Sequence, residues 1–98
     1  MLDSTNVGAG CAVAAVTVGT DSPDLLDHAG AIFRTWIDQL TELYVAAGWS
    51  KVKARDLATL VVCATEGAVL VSRAQHDRGP FDAVAKVFLE RSRAQSAS

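Results

Sequence analysis

The run from Leu57 to Val71 dominates the hydrophobic pattern of the chain, because its polar side chains are only Thr59, Thr65 and Glu66. A helix on the surface of a small domain has one apolar stripe and one face exposed to water. This run has almost no polar face, so it predicts a helix that is covered on more than one side. A domain of 98 residues rarely encloses a central helix by itself. The simplest way to cover the remaining apolar surface of this helix is a second copy of the same chain.

A clearly bounded helix is predicted before this run. Apolar residues recur at intervals of three and four between Leu25 and Ala47, which is the helical period. The sequence Ser22-Pro23-Asp24 supplies an N-cap, a proline at the first helical position and a negative charge in the first turn. Gly48 is the predicted left-handed residue after the helix, and Trp49 is expected to fold back onto the last turn.

Ser50 is the predicted N-cap of the next helix, which contains the apolar run and spans residues 51–77. We expect Val52, Leu57 and Leu60 to begin its core face. Gly79-Pro80 is the predicted stop signal for this helix.

A last helix is predicted from Pro80 to about Arg93, with its apolar stripe beginning at Phe81. The segment Gly10–Val18 is ambiguous, because its β-branched residues favour a strand. The sequence offers no second strand as a partner, so we expect a short helix that Gly19 ends.

These elements predict an all-α domain of one short and three longer antiparallel helices over residues 10–93. A flexible leader over 1–9 and a frayed tail over 94–98 are expected to flank it.

Composition excludes several classes of function. The chain has a formal charge of −2, and its nine Lys and Arg residues are scattered, whereas a nucleic-acid surface needs clustered basic residues. Cys11 and Cys63 lie far apart in apolar runs and form no Cys-x-x-Cys pair, so no metal site or cofactor is predicted. We expect both thiols to be reduced and buried in a cytoplasmic protein, and a single disulfide between them is the alternative. No secretory signal or membrane segment is expected.

An ordered set of short motifs resembles the C-terminal effector-binding and dimerisation domain of TetR-family transcriptional repressors. The resemblance covers about residues 9–90 and is greatest to the branch around the lincomycin-resistance repressor. The motifs in chain order are Gly10-Cys11-Ala12-Val13-Ala14-Ala15, Phe33-Arg34-x-Trp36, Ala46-Ala47-Gly48, Ala58-Thr59-Leu60, Glu66-Gly67-Ala68, Arg73-Ala74 and Phe81-Asp82-Ala83-Val84.

The resemblance implies a ligand-sensing, dimerising domain with no catalytic activity. TetR-type repressors place a helix-turn-helix DNA-binding domain before this region, and residues 1–9 are too short to form one. We therefore expect an excised or truncated C-terminal domain, whose parent protein contacts DNA through the missing N-terminal domain. The expected partners are a second copy of the chain and a small apolar or amphipathic effector, with no membrane.

The candidate pocket lies between helices, where bundles usually bind small molecules. Aromatic side chains of the second helix and the middle of the third would form its wall, and Cys11 and Val13 could complete it. Ordinary core packing is the alternative for the two aromatic residues. The pocket candidates are Phe33, Trp36, Leu40, Val62, Cys63 and Glu66.

The resemblance also implies that the helices over 51–77 and 80–93 pair with their twofold mates, so that the domain dimerises through a four-helix bundle. Gly67 would leave a flat patch that another helix can approach closely, although a merely tolerated glycine is the alternative. The dimer-interface candidates are Ala64, Gly67, Ala68, Val71, Phe81, Val84 and Phe88.

Glu66 is the acidic residue inside the apolar run, and a buried carboxylate needs a partner, a proton or water. It could pair across the dimer or with a neighbouring helix, meet a polar group of the effector, act as a general base in a small helical enzyme, or simply be exposed to water. The sequence offers no clear second catalytic group for an enzyme. A stand-alone homodimeric interaction module without a ligand is the main alternative function.

Overall fold

The computed structural model describes residues 13–97, with side chains through Arg91. This part of the chain contains helix α1 (residues 13–19), α2 (Pro23–Ala46), α3 (Lys51–Gln75) and α4 (Gly79–Ala97), and no strand. The all-α prediction is confirmed, and so is helix rather than strand over residues 13–18. The predicted leader over residues 1–9 lies outside the described residues.

Both ends of α2 follow the predicted signals. The hydroxyl of Ser22 accepts a hydrogen bond from the amide of Leu25, and Pro23 is the first helical residue. At the other end Gly48 has a φ of 108°. The amides of Gly48 and Trp49 donate to the carbonyls of Val45 and Tyr44, which is the Schellman arrangement. The Trp49 ring packs edge-on against Tyr44 at 5.9 Å.

Helix α3 begins as predicted and ends earlier than predicted. The Ser50 hydroxyl accepts from the amide of Lys53. The helix stops at Gln75 rather than at residue 77, because His76 adopts a φ of 53°. The amide of Asp77 then donates to the carbonyl of Ser72, so a histidine occupies the position that glycine usually takes in a Schellman motif.

Helix α4 begins at Gly79, and partners are present for each of its first amides. The Asp77 carboxylate accepts from Gly79, and the Ser72 hydroxyl of α3 accepts from Phe81 at 3.1 Å. Pro80 has no amide hydrogen, and Asp82 donates to the carbonyl of Arg78. A new helix leaves about four amides unpaired at its start, so this turn is fully satisfied. Gly79-Pro80 therefore starts α4, and the helix continues past the predicted end near Arg93 to Ala97.

The chain forms two compact units, Met1–Val62 and Cys63–Ser98, with the boundary inside α3. In the first unit, Arg55 of α3 and Asp38 of α2 form an ion pair of 2.6 Å. This pair and the four-residue connection 47–50 place the first part of α3 antiparallel to α2. Both partners are half exposed, so the pair orients the helices more than it stabilises them.

The core of the first unit is built on small residues of α3. Ala54 and Ala58 are fully buried, whereas Val52 and Leu60 are 74% and 53% exposed. The prediction that Val52 and Leu60 begin the core face was therefore wrong, and Leu57 is only half-buried. Small side chains on the inner face allow two helix backbones to approach closely, and this selects the rotation of α3. The buried residues of this unit are Ala14, Ala29, Leu40, Thr41, Ala54, Ala58, Val61 and Val62.

In the second unit, the remainder of α3 packs against α4. Ser72 contacts Phe81 near the turn, and Ala64 and Phe88 line one groove farther from it. Contacts in this order require the two helices to be antiparallel. Thr65, Ala68 and Val69 are the buried α3 residues of this unit.

Helix α3 is also the described helix that is long and apolar enough to cross a membrane by length and composition. Its apolar run from Leu57 to Val71 rises only about 22 Å, whereas a hydrocarbon core is about 30 Å thick. Glu66 lies within that run. Since core helices of globular proteins pass the same test, this property is weak support for a membrane span.

Replacing His76 by glycine should stabilise the domain. A non-glycine residue in the left-handed region carries a strain of about 1–2 kcal/mol, which is partly offset by the greater freedom of unfolded glycine. We expect His76→Gly to raise the free energy of unfolding by roughly 0.5–1 kcal/mol in urea denaturation. Gly48→Ala, at the equivalent position after α2, should act in the opposite direction. A loss of stability in His76→Gly would show that the imidazole has a compensating role.

Candidate functional site

The aromatic pair of α2 is the first feature suited to ligand contact. Phe33 and Trp36 are three residues apart, and their rings meet edge to face at 5.6 Å with an angle of 81°. Both rings are only half-buried, whereas Leu40, one turn farther along the same face, is buried. An edge-to-face pair fixes both rings. The pair therefore gives α2 a partly exposed aromatic surface.

Glu66 is the second feature. Its Oε2 atom is buried and has no hydrogen-bond partner among the described residues. The side chain as a whole is half-buried, so one carboxyl oxygen is turned inward while the residue stays partly accessible. Burial raises the pKa of the Glu66 carboxyl, because desolvation penalises the charged form. A donor that reached this oxygen would remove that penalty.

The remaining pocket candidates lie in different compact units and differ in burial. Val62 is buried in the first unit, while Cys63 belongs to the second and is an exposed free thiol. The expectation that Cys63 is buried was wrong, because the adjacent positions Val61 and Val62 supply the buried face of α3 at this point. Cys11 lies outside the described residues. Contact within the candidate set is established for Phe33 with Trp36, and the pocket as a whole stays a prediction.

A row of small and aliphatic residues on α3 faces away from the core of the second unit. At 100° per residue, the centre of this row lies about 180° from the buried positions Thr65, Ala68 and Val69. No heavy atom among the described residues lies within 4 Å of a Cβ built on Gly67, outside its own helix backbone and chain neighbours. We call this row the outer stripe. Its residues are Cys63, Gly67, Leu70, Val71 and Ala74, all of which are exposed.

A shallow apolar groove of about 260 Å³ runs between α3 and α4. The predicted interface residues Ala64, Val84 and Phe88 line it together with Ala83 and Val87. Ala83 and Val87 were not among the predicted interface residues. They lie four residues apart on one face of α4, and this spacing was a usable signal. The α3–α4 groove and the outer stripe are therefore two apolar surfaces of the second unit.

The other dimer candidates occupy different environments. Val71 and Gly67 are exposed on the outer stripe, and Phe81 is half-buried beside the α3–α4 turn. Ala68 is buried within its own chain, so it supports the fold rather than offering free surface. Leu70 and Ala74 were missed, and their position three and seven residues from Gly67 was the signal that marks them.

Metal chemistry has no supporting cluster in the described part of the chain, where no three His, Cys, Asp or Glu side chains are grouped closely enough to hold an ion. The arrangement offers apolar contact surfaces and one carboxyl oxygen without a partner. These features define an all-α domain with exposed apolar surfaces.

Comparison with known proteins gives the family. Residues 1–87 match the family described as "Transcriptional regulator LmrA/YxaF-like, C-terminal domain". The chain belongs to this family of TetR-type transcriptional regulators.

Two curated relatives are HTH-type transcriptional regulators of Mycobacterium tuberculosis, MT0206 of strain CDC 1551 and Rv0196 of strain H37Rv. Each is 35% identical to this chain over 88 residues, which cover 83% of the chain and 45% of the relative. The chain thus spans about half the length of these relatives. No solved structure matches the chain.

The buried carboxyl predicts how stability depends on pH. Burial raises the folded-state pKa of Glu66. The contribution of this carboxyl to folding stability is therefore fully present below its unfolded-state pKa of about 4.3, and it is lost as pH rises through the folded-state pKa. Glu66→Gln, which stays neutral, should therefore melt at a higher temperature than the parent chain at pH 7. The difference should shrink towards pH 4 in thermal denaturation followed by circular dichroism.

Glu90→Gln is the matched control, since Glu90 is exposed on α4 and its replacement makes the same change in net charge. It should produce little of this pH-dependent gain. A difference between Glu66→Gln and the parent chain that stayed constant from pH 4 to pH 8 would contradict the role assigned to burial.

Proposed function

We propose that this chain is the ligand-sensing and dimerisation domain of a TetR-like transcriptional repressor. The observation that carries the proposal is the outer stripe, an apolar face that α3 presents to solvent opposite its buried face. A family of regulators built on C-terminal domains of this kind supplies the context.

The proposed dimer covers the outer stripe and the α3–α4 groove with the same surfaces of a second copy. Leu70, Val71 and Val87 are each at least 40% exposed, and contiguous exposed apolar surface usually marks an interaction site. Cys63, Gly67 and Ala74 have small side chains that project little from the outer stripe, so a partner helix can approach closely. A twofold pairing of α3 and α4 gives the four-helix bundle predicted from the sequence.

Effector sensing is supported by two side-chain features. The Phe33–Trp36 pair offers an apolar wall, and the Oε2 atom of Glu66 lacks a partner. A small apolar or amphipathic effector would shift the population between two helix arrangements by its difference in affinity for them. This proposal requires no covalent chemistry and assigns the domain no catalytic role.

DNA recognition is proposed for the part of such regulators that this chain does not span. This chain has a net charge of −2, which does not favour binding to nucleic-acid phosphates. The proposed effector would act on DNA binding by changing the separation of two DNA-binding heads in the dimer. A repressor of this kind works in the cytoplasm, which is the proposed location.

Gly67→Leu should weaken the dimer without unfolding the domain. Space around Gly67 is open within the described chain, so a leucine fits the monomer but enters the proposed helix contact. Gly30→Leu is the matched control, because Gly30 is also helical, exposed and unobstructed. Sedimentation equilibrium over a dilution series should show at least a tenfold weaker association for Gly67→Leu and little change for Gly30→Leu. Equal association of both variants would remove the outer stripe from the interface.

Trp36→Ala should weaken ligand binding more than dimerisation. Loss of an aromatic contact worth about 1 kcal/mol corresponds to a five- to tenfold change in affinity. The probe is 1-naphthalenemethanol, followed by its fluorescence. Trp49→Ala is the control, because Trp49 packs on Tyr44 at the end of α2. A larger effect of Trp36→Ala on sedimentation than on probe binding would assign Trp36 to the interface instead.

A further inference from the structure

Helix α2 carries a second apolar row beside its buried face. Seven of its positions alternate at intervals of four and three residues, which is the heptad spacing of a helix that packs lengthwise along another helix. Six of these positions are apolar and one is a glutamine. We call this row the α2 seam. Its residues are Leu25, Ala29, Ile32, Trp36, Gln39, Leu43 and Ala46.

The chain itself covers only part of the α2 seam. Ala29 is buried, and Ile32 and Trp36 are half-buried. Leu25 and Leu43, near the two ends of the helix, are 49% and 56% exposed. By helical rotation, the centre of the seam lies roughly 90° from the centre of the buried residues of α2. The apolar arc of α2 is therefore wider than the face that its own chain covers.

The dimensions of the α2 seam fit one long helix. The seam extends about 27 Å from Leu25 to Leu43 by axial rise, so a helix of about five turns is needed to cover it. Heptad spacing favours a partner helix that lies nearly parallel or antiparallel to α2. Gln39 is the polar position of the seam, and a single polar residue in such a row fixes the register of the partner.

The proposed dimer assigns the second copy to other surfaces. The outer stripe and the α3–α4 groove belong to the second unit, whereas α2 belongs to the first. A twofold dimer pairs a surface patch with the same patch of its partner. The α2 seam therefore needs a different occupant.

The length of the curated relatives indicates that occupant. The matched region is 45% of each Mycobacterium tuberculosis regulator, and the family model describes a C-terminal domain. More than half of such a regulator thus lies outside the matched region, mainly before it. A contiguous exposed apolar row usually marks an interaction site, and a neighbouring part of the same polypeptide is always present to fill it.

We propose that the α2 seam is the docking surface for one amphipathic helix from the N-terminal part of a longer regulator. This inference rests on the proposed function as the C-terminal half of a TetR-like repressor, and it specifies where the two halves join. Trp36 also packs against Phe33, so the docked helix would lie beside the proposed effector wall.

A chimera tests this docking. It places the part of Rv0196 that precedes the matched region in front of this chain. Leu43→Cys is introduced into the chain alone and into the chimera, with Cys11 and Cys63 replaced by alanine. Leu89→Cys on α4 is the control, because Leu89 is 59% exposed and lies outside the seam. Reaction with a maleimide is followed by mass spectrometry of the peptides, and circular dichroism verifies folding.

Leu43→Cys should react at least about tenfold more slowly in the chimera than in the chain alone, because the thiol reacts only while the docked helix is released. Leu89→Cys should react at similar rates in both. Adding Leu25→Asp to the chimera should recover part of the reactivity of Leu43→Cys, since a charge in the seam weakens apolar packing. Leu60→Asp, at an exposed leucine of α3, should not.

Equal reactivity of Leu43→Cys in the chain and in the chimera would overturn the proposal. Equal protection of both cysteines in the chimera would also overturn it, because general association would then explain the result. Protection of Leu43→Cys in the chain alone that increases with protein concentration would assign the seam to a second copy instead. Sedimentation and 1-naphthalenemethanol titration of the parent chain report separately on dimerisation and ligand sensing, so a failure of the proposed function is distinguishable from a failure of docking.

Discussion

The whole architecture depends on how the apolar helix α3 is covered. One side of it is buried against its own chain through Ala54, Ala58 and Ala68, and the outer stripe on the opposite side is not. Full burial of a leucine or valine contributes about 1.5–3 kcal/mol, and Leu70 and Val71 are 40% and 45% exposed. Roughly 1–3 kcal/mol of hydrophobic stabilisation is therefore not realised at these two residues within the chain itself. The same helix carries a carboxyl oxygen that has no hydrogen-bond partner among the described residues, so the exposed apolar surface and the unpaired oxygen both lie on α3.

The ends of the helices were the most predictable part of the fold. Ser22-Pro23, Gly48 and Ser50 act through hydrogen bonds within a few residues of themselves, so their chemistry is readable locally. The end of α3 was missed by two residues because histidine, although it is enriched at positive φ, is a much weaker signal for that conformation than glycine. The start of the last helix, predicted at Pro80, agrees within one residue with the observed start at Gly79. The stop of α3 that was assigned to Gly79-Pro80 lies earlier, after Gln75.

The rotation of α3 and the candidate site were less predictable for a physical reason. The helical spacing of apolar residues shows only which faces of α3 could be buried. The face that is buried depends on the elements that pack against it. Val52 and Leu60 are more hydrophobic than Ala54 and Ala58, yet the alanines are buried because they permit close helix packing. In the same way, the sequence identified Glu66 as unusual but gave no direction for its oxygens. Family membership was recognisable from ordered motifs, whereas the ligand and interface roles of single residues stay proposals.

The hydrogen bond from the Phe81 amide to the Ser72 hydroxyl has a consequence for the dynamics of the α3–α4 turn. Ser72 belongs to the last turn of α3 and its carbonyl also accepts from Asp77. Unwinding that turn would release a donor of α4 and an acceptor of α3 in one event. The two helix ends therefore open as one cooperative unit. Hydrogen exchange at the single amide of Phe81 reports how often the end of α3 comes apart.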